Sequence, residues 1–193
     1  MSTLDEEDRR EYYRIEDTIA LEIRPLSASE AAGQEVLQDA SPLFNLLSEL
    51  HLSEFESQHL LRQINERDRN IAAFLKSQNK RIDLLSQVIA ITVLGQIGEP
   101  QPVIISEGGI DFQHPSPIAA GAHLSVKLVL MPQALGLLLR ARVTHCDRKG
   151  DGYDVGTEFE HLTDAQRQLL ARHILQKQAQ ERRLAREQLE SGN

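Results

Sequence analysis

Three arginines, Arg9, Arg10 and Arg14, stand in an otherwise acidic stretch, with Tyr12 and Tyr13 lying between the last two. A guanidinium presents a planar fork of donors that matches phosphate bidentately and stacks on flat bases. The same stretch also reads as a solvated charged arm in which Asp5, Glu6, Glu7 and Asp8 partner the arginines. A second feature is Ile105-Ser-Glu-Gly-Gly-Ile-Asp-Phe112. A serine followed by two glycines at the end of an apolar strand makes a tight bend, where glycine permits positive φ and close approach of a ligand. The Ser106 hydroxyl can donate or accept. By itself the segment also reads as an ordinary hairpin turn.

Other groupings carry less. Asp147, Asp151, Gly152 and Glu158 fall near the spacing of a calcium loop, but Lys149 takes a ligand position and apolar strands flank the segment in place of helices. His145 and Cys146 are neighbours on a strand and point to opposite faces. His51, His59, His114, His123, His161 and His173 form no ligand-spaced pair on one helix face, so no metal site is expected. A phosphate loop, a dinucleotide fingerprint and a nucleophile elbow are all missing, and the reading is not enzymatic. Arg182, Arg183 and Arg186 are interleaved with Glu181, Glu187 and Glu190 and read as a solvated helix end.

These residues need elements to position them. Ile19, Leu21 and Ile23 alternate with polar residues as in a half-buried strand, which Pro25 ends. Ser27 with Glu30, and Ser53 with Glu56, are spaced as capping boxes, and Ser41-Pro42 reads as a helix start. The pattern predicts a short helix near 42–51 and a long one from about 54 to 94, roughly 60 Å at 1.5 Å per residue. Leu61, Ile64, Asp68, Ile71, Leu75, Gln78, Ile82, Leu85, Ile89 and Thr92 step by alternating three and four, the seam of a coiled coil, with Asp68 and Gln78 as polar seam positions. Leu61, Ile64, Ile71, Leu75, Ile82, Leu85 and Ile89 are thus the expected self-association residues. After Gly95, Gly98 and Pro100 come short apolar runs beginning at Val103, Leu124, Leu137 and Tyr153, which read as antiparallel strands. A turn is expected at 147–152. A last helix starts at Thr163, with Gln166 completing a capping box.

In order, Arg10-x-x-x-Arg14 ahead of a strand, Ser106-x-x-Gly109, Gly121-x-x-Leu-x-Val-x-Leu-x-Leu-x-Pro132, and Val155-Gly-Thr-Glu-Phe159 followed by Leu162 and Arg167-x-x-Leu170 resemble a PilZ domain over about 5–26 and 100–180. The resemblance implies an α+β fold. A small antiparallel β-barrel, 1–26 and 99–162, is interrupted by a helical oligomerisation insertion, 27–98, and followed by a C-terminal helix, 163–193. It implies a bacterial receptor for cyclic di-GMP, in which Arg10 and Arg14, with Arg9 beside them, clasp phosphate and stack on guanine. Ser106, Gly108 and Gly109 would line the other side of the pocket, with Gly156 nearby on the barrel wall. The insertion resembles an atypical oligomeric branch, giving a dimer or tetramer. The chain departs from the family's Asp/Asn-x-Ser-x-x-Gly at its first position, where Ile104 cannot hydrogen-bond a guanine edge. Loss of such a partner costs roughly 1–3 kcal/mol. Two readings stay open: a ligand-binding adaptor acting on a protein effector, and an oligomeric scaffold without ligand.

Composition agrees with both. The 193 residues carry a net charge of -8, which argues against a surface for DNA or RNA. Hydrophobics at 40% suffice for a core, and with aromatics at only 4% and no Trp that core must be aliphatic. The single Cys146 leaves no intramolecular disulfide and fits a reducing compartment. No apolar run approaches a membrane span, and Met1–Ala20 is too charged for a secretory signal. The expected localisation is cytoplasmic.

Overall fold

The computed structural model describes residues 13–33 and 37–191. Its elements run β1 (Ile15–Pro25), α1 (Ala28–Ala32), α2 (Pro42–Arg67), α3 (Arg69–Ile97), β2 (Gln101–Ile105), β3 (Ile110–His114), β4 (His123–Leu130), β5 (Leu135–Lys149), β6 (Gly152–Glu160) and α4 (Asp164–Ser191). The six strands close into a barrel in the order β1-β2-β3-β6-β5-β4. β1 pairs antiparallel with β4, β2 with β3, and β3 with β6. The fold class is α+β, as the sequence implies. β3 is a strand that the apolar runs did not disclose, because Asp111 and Gln113 dilute it. β5 continues through the expected turn to Lys149, and the reversal is confined to Gly150 and Asp151, with Gly150 at φ 61°.

Three of the four sequence caps form. The Ser27 hydroxyl accepts the Glu30 N–H at 3.3 Å, and the Glu30 carboxylate accepts the Ser27 N–H at 2.9 Å. The Ser41 hydroxyl accepts the Phe44 N–H at 3.4 Å, with Pro42 opening the helix. Thr163 and Gln166 bond reciprocally at 3.1 and 3.0 Å. The fourth is corrected: Ser53 and Glu56 lie inside α2, which runs unbroken from Pro42 to Arg67. His51, expected next to a break, is a buried helix residue whose Nε2 lies 2.9 Å from the Ala134 carbonyl oxygen.

The interruption falls at Asp68. Its backbone is extended (φ -145°, ψ 104°), and its carboxylate accepts the N–H groups of Asn70 at 2.9 Å and Ile71 at 3.0 Å. A short acidic side chain competes for backbone donors and favours such caps over helix interiors. The continuous helix from 54 to 94 is therefore replaced by two helices that fold back on each other. Asn65 meets Lys76 at 3.4 Å on one side of the reversal, and Ser41 meets Gln96 at 3.4 Å far from it. The expected seam is divided: Leu61 and Ile64 lie on α2, and Ile71, Leu75, Ile82, Leu85 and Ile89 on α3.

The chain divides into two compact units. One takes in Ile19–Gln101 and Leu124–Arg140. Its core gathers Ala20, Phe44, Leu47, Ala90, Val93, Ile97, Val129 and Ala134. Gly136 permits the approach, since a Cβ there would lie 3.2 Å from Leu47 and 3.4 Å from Phe44. Lys127 is buried on β4 over the Phe44 ring, 5.1 Å from its centre, with its ammonium 2.9 Å from Asp39 and 3.6 Å from Glu22. α3 turns Ala72, Ser86, Ala90, Val93 and Ile97 inward. The expected seam lies largely one residue off this stripe, about 100° around the helix. Ile71, Phe74, Ile82, Leu84, Leu85, Val88 and Ile91 are each between 45% and 67% exposed.

The other unit comprises residues up to Thr18, Pro102–His123 and the chain from Ala141 onward. Here α4 is tied to β1 through Asp17, a buried carboxylate that lies 2.8 Å from His173 Nε2 and 2.6 Å from Lys177 Nζ and accepts the Thr18 N–H at 2.9 Å. Burial opposes its charge, but the bonds from His173 and Lys177 prevail and hold its carboxyl down to about 2.

Two outcomes are expected. A depressed carboxyl stabilises the fold above its unfolded value, and that contribution is lost as pH falls towards its folded value. Asp17→Asn should therefore cost about 2 kcal/mol at pH 7 in denaturant unfolding. The gap to the parent should close as the pH falls from about 4 to about 2. Asp68→Ala should lower stability by about 1 kcal/mol by thermal melt, while Asp68→Asn, which keeps an acceptor, should stay within a few tenths.

Candidate functional site

The registers bring three positions into one row. Ile104 on β2 faces Asp111 on β3, and Asp111 faces Gly156 on β6. Their neighbours Val103, Ile105, Ile110, Phe112 and Val155 are buried, so by strand alternation the row lies on the outer face of the barrel. Arg14, immediately before β1, reaches this row: its Nη1 lies 3.4 Å from Asp111 Oδ2, the arginine side chain 54% exposed and the aspartate 22%. Of the three arginines, Arg14 alone is described; Arg9 and Arg10 lie outside the described residues.

Asp111 is the charged centre of the row. Burial raises its carboxyl above the ordinary value. Arg14, His145 and the Thr157 N–H pull the other way, while Asp154 adds to the rise. The sequence reading passed over Asp111 because a lone aspartate in a suspected turn carries no spacing signal. Its pairing partners become visible only when the β2–β3–β6 register is fixed.

The loop at 106–109 is bound up in its own structure. The buried Ser106 hydroxyl accepts the N–H groups of Gly108 and Gly109, both at 3.2 Å, and the Ser106 N–H donates to the Gly109 carbonyl at 2.9 Å. The Gly108 carbonyl accepts the Phe159 N–H at 2.8 Å, stitching the loop to β6. A Cβ at Gly109 would overlap the Thr157 carbonyl oxygen. Glycine is required here because one strand backbone approaches another. At Gly156 the close neighbour is a side chain: a Cβ there would overlap the His145 imidazole, which lies over it. Thr144 fastens this corner, donating from its hydroxyl to the Gly156 carbonyl at 3.0 Å, with His145 Nδ1 3.3 Å away.

His145 and Cys146 diverge. While His145 covers Gly156, the Cys146 sulfur accepts the Ile118 N–H at 3.4 Å. Beside the loop, Arg142 bonds Glu158 at 2.7 Å and Glu160 at 3.2 Å, and Glu160 meets His123 at 3.3 Å. The assembled surface is therefore one half-exposed guanidinium, a buried-side carboxylate, an imidazole over a glycine and an exposed Ile104. It can grip an anion and stack a flat ring.

Comparison with known proteins agrees with this architecture. The model of the PilZ domain family matches residues 75–176, from within α3 to within α4, so Arg14 and β1 precede the matched segment. No curated protein matches the chain. Among solved structures, it is similar to a pathogenic protein from Xanthomonas campestris described as a new tetrameric PilZ domain self-assembled via an unusual helical bundle. The TM-score is 0.55 at 16% identity, covering 89% of each chain. An inhibitor of motility from Bacillus subtilis is also similar over 42% of each chain, at 18% identity and a TM-score of 0.36. With the family model spanning more than half of its residues, and with the six-stranded barrel in place, the chain belongs to the PilZ domain family.

Proposed function

We propose that the protein is a cytoplasmic, non-catalytic receptor for cyclic di-GMP that assembles through α3 and passes the signal to a protein effector. Motility, biofilm formation or virulence would be the output. The observation that carries this reading is Arg14. In a chain of this family it stands at the mouth of the β2–β3–β6 row, half exposed, with its guanidinium directed at the outer face of the barrel. A cyclic dinucleotide brings two phosphodiesters and two flat bases, which suit a guanidinium that both pairs and stacks. His145, over Gly156, adds a second flat surface at the row's far end. No helix among the described residues is long and apolar enough to cross a membrane.

Self-association rests on the outer stripe of α3. Monomeric proteins rarely leave so many large apolar side chains uncovered along one helix, and such patches mark interfaces. Ile71, Ile82 and Leu85 lie on that stripe, and Phe74, Val88 and Ile91 extend it. The solved relative from Xanthomonas campestris is described as assembling by a helical bundle, which supports the same use of these helices.

The second reading, a scaffold that binds no nucleotide, is favoured by Ile104, 40% exposed where the family pattern has Asp or Asn. It is favoured too by the occupation of Ser106, Gly109 and Gly156 in the barrel's own contacts.

Calorimetric titration separates the two. The parent protein should release heat with cyclic di-GMP at micromolar concentration, and Arg10→Ala/Arg14→Ala should weaken binding at least tenfold. Absence of heat at high micromolar ligand would leave the scaffold. For assembly, Ile71→Asp with Ile82→Asp should reduce the sedimenting mass towards a single chain. An unchanged mass would remove α3 from the interface.

A further inference from the structure

Arg14 is not waiting empty in the ligand-free chain: the carboxylate of Asp111 is its partner, 3.4 Å away. We propose that Asp111 is the internal occupant of the Arg14 guanidinium, a binding-determining residue that an incoming phosphodiester must displace. The proposal rests on the receptor reading above and deepens it.

Three observations converge on this residue. The first is position: Asp111 lies cross-strand from both Ile104 and Gly156, so its carboxylate sits in the middle of the row over which a ligand would lie. The second is its surroundings. The groups acting on its charge are Arg14 before β1, His145 on β5, Asp154 on β6 and the Thr157 N–H on β6. Of these, Arg14 forms its ion pair, and Asp154 repels it. The third is burial, which disfavours its ionised form and makes it dependent on the guanidinium. A phosphodiester that captures Arg14 leaves this carboxylate without its cation, with Asp154 still nearby. Breaking such a pair costs the desolvation of the group left behind. The exchange of carboxylate for phosphate is therefore opposed by the protein itself, and the opposition is set by one residue.

The sign with pH follows. A neutral Asp111 releases Arg14, so acidification through the Asp111 titration should strengthen the binding of an anion. Every other group around the row is common to parent and variant, so the difference between them isolates Asp111.

The test is titration of cyclic di-GMP into the full chain and into Asp111→Asn and Asp111→Ala. Both variants should bind about fivefold more tightly at neutral pH, the effect of a partly exposed pair. The parent should approach them as the pH falls. If the parent binds and the variants bind equally or more weakly, Asp111 is a bystander or a ligand contact and the proposal is overturned, while the receptor reading stands. If the parent does not bind but a variant does, the receptor reading of the parent falls and the proposal holds. If none binds, the receptor reading falls, and the pair is then read without ligand from hydrogen exchange at the Arg14 Nη groups. Faster exchange in Asp111→Asn upholds the occupant, and unchanged exchange overturns it.

Discussion

The placement of Arg14 depends on Asp17. This carboxylate, buried three residues further along the chain, is held from the other end of the sequence by His173 and Lys177 of the last helix. A buried charge is tolerated only when it is paired and hydrogen-bonded, and here three donors converge on one group. The start of β1 is thereby fixed to α4. The residue that reaches Asp111 immediately precedes a strand clamped at Asp17. Arg14 thus stands three residues before a contact made with a helix about 160 residues away.

The glycines of the row have a role different from the one their spacing implies. Gly109 and Gly156 are small because protein atoms occupy the space beside them, a Thr157 carbonyl in one case and the His145 ring in the other. The same loss of Cβ that would let a ligand approach instead lets β6 and its neighbours close tightly around the corner. The chemistry available to an incoming ring is then that of the groups left on the surface: Arg14, Asp111, His145 and Ile104. Of these only Arg14 belongs to the motifs by which the sequence resembles its family, and Ile104 stands where the chain departs from one.

What was legible in the sequence was local. Caps at Ser27, Ser41 and Thr163 could be read because their partners lie three residues away, and the strand run at Leu124 because seven of the eight residues of β4 are buried. What was not legible needed the third dimension. Asp68 fits a polar seam position and a helix cap equally well, and the choice is made by whether α2 and α3 gain more by folding back than by running on. Ser53 and Glu56 have the spacing of a cap but lie where Phe44, Leu47 and the buried His51 already commit the helix to its core. β3 was hidden because its outward residues, Asp111 and Gln113, are polar, and Asp111 is the residue that lies between Ile104 and Gly156 in the row.

α3 explains why the heptad reading and the structure differ by one residue without either pattern being accidental. Its inward stripe is built from Ala72, Ser86, Ala90, Val93 and Ile97, of which the last three pack in the core with Phe44 and Leu47. The adjacent stripe carries Ile71, Phe74, Ile82, Leu85 and Val88 and meets solvent. A helix apolar over so much of its circumference matches a buried environment better than a surface one. Within one chain Ile89 and Leu94 also pack partly against this core, and the stripe from Ile71 to Val88 is left uncovered. Under the proposed reading the second stripe is covered by another copy. Because both copies then present the same surface, the simplest closed arrangement is a two-fold contact in which each α3 buries the other's outer face. Asp68 makes this possible. By ending α2 and reversing the chain, it shortens what would have been a single rod to a hairpin whose second helix, about 43 Å long, can pack on its own core with one side and leave the other available.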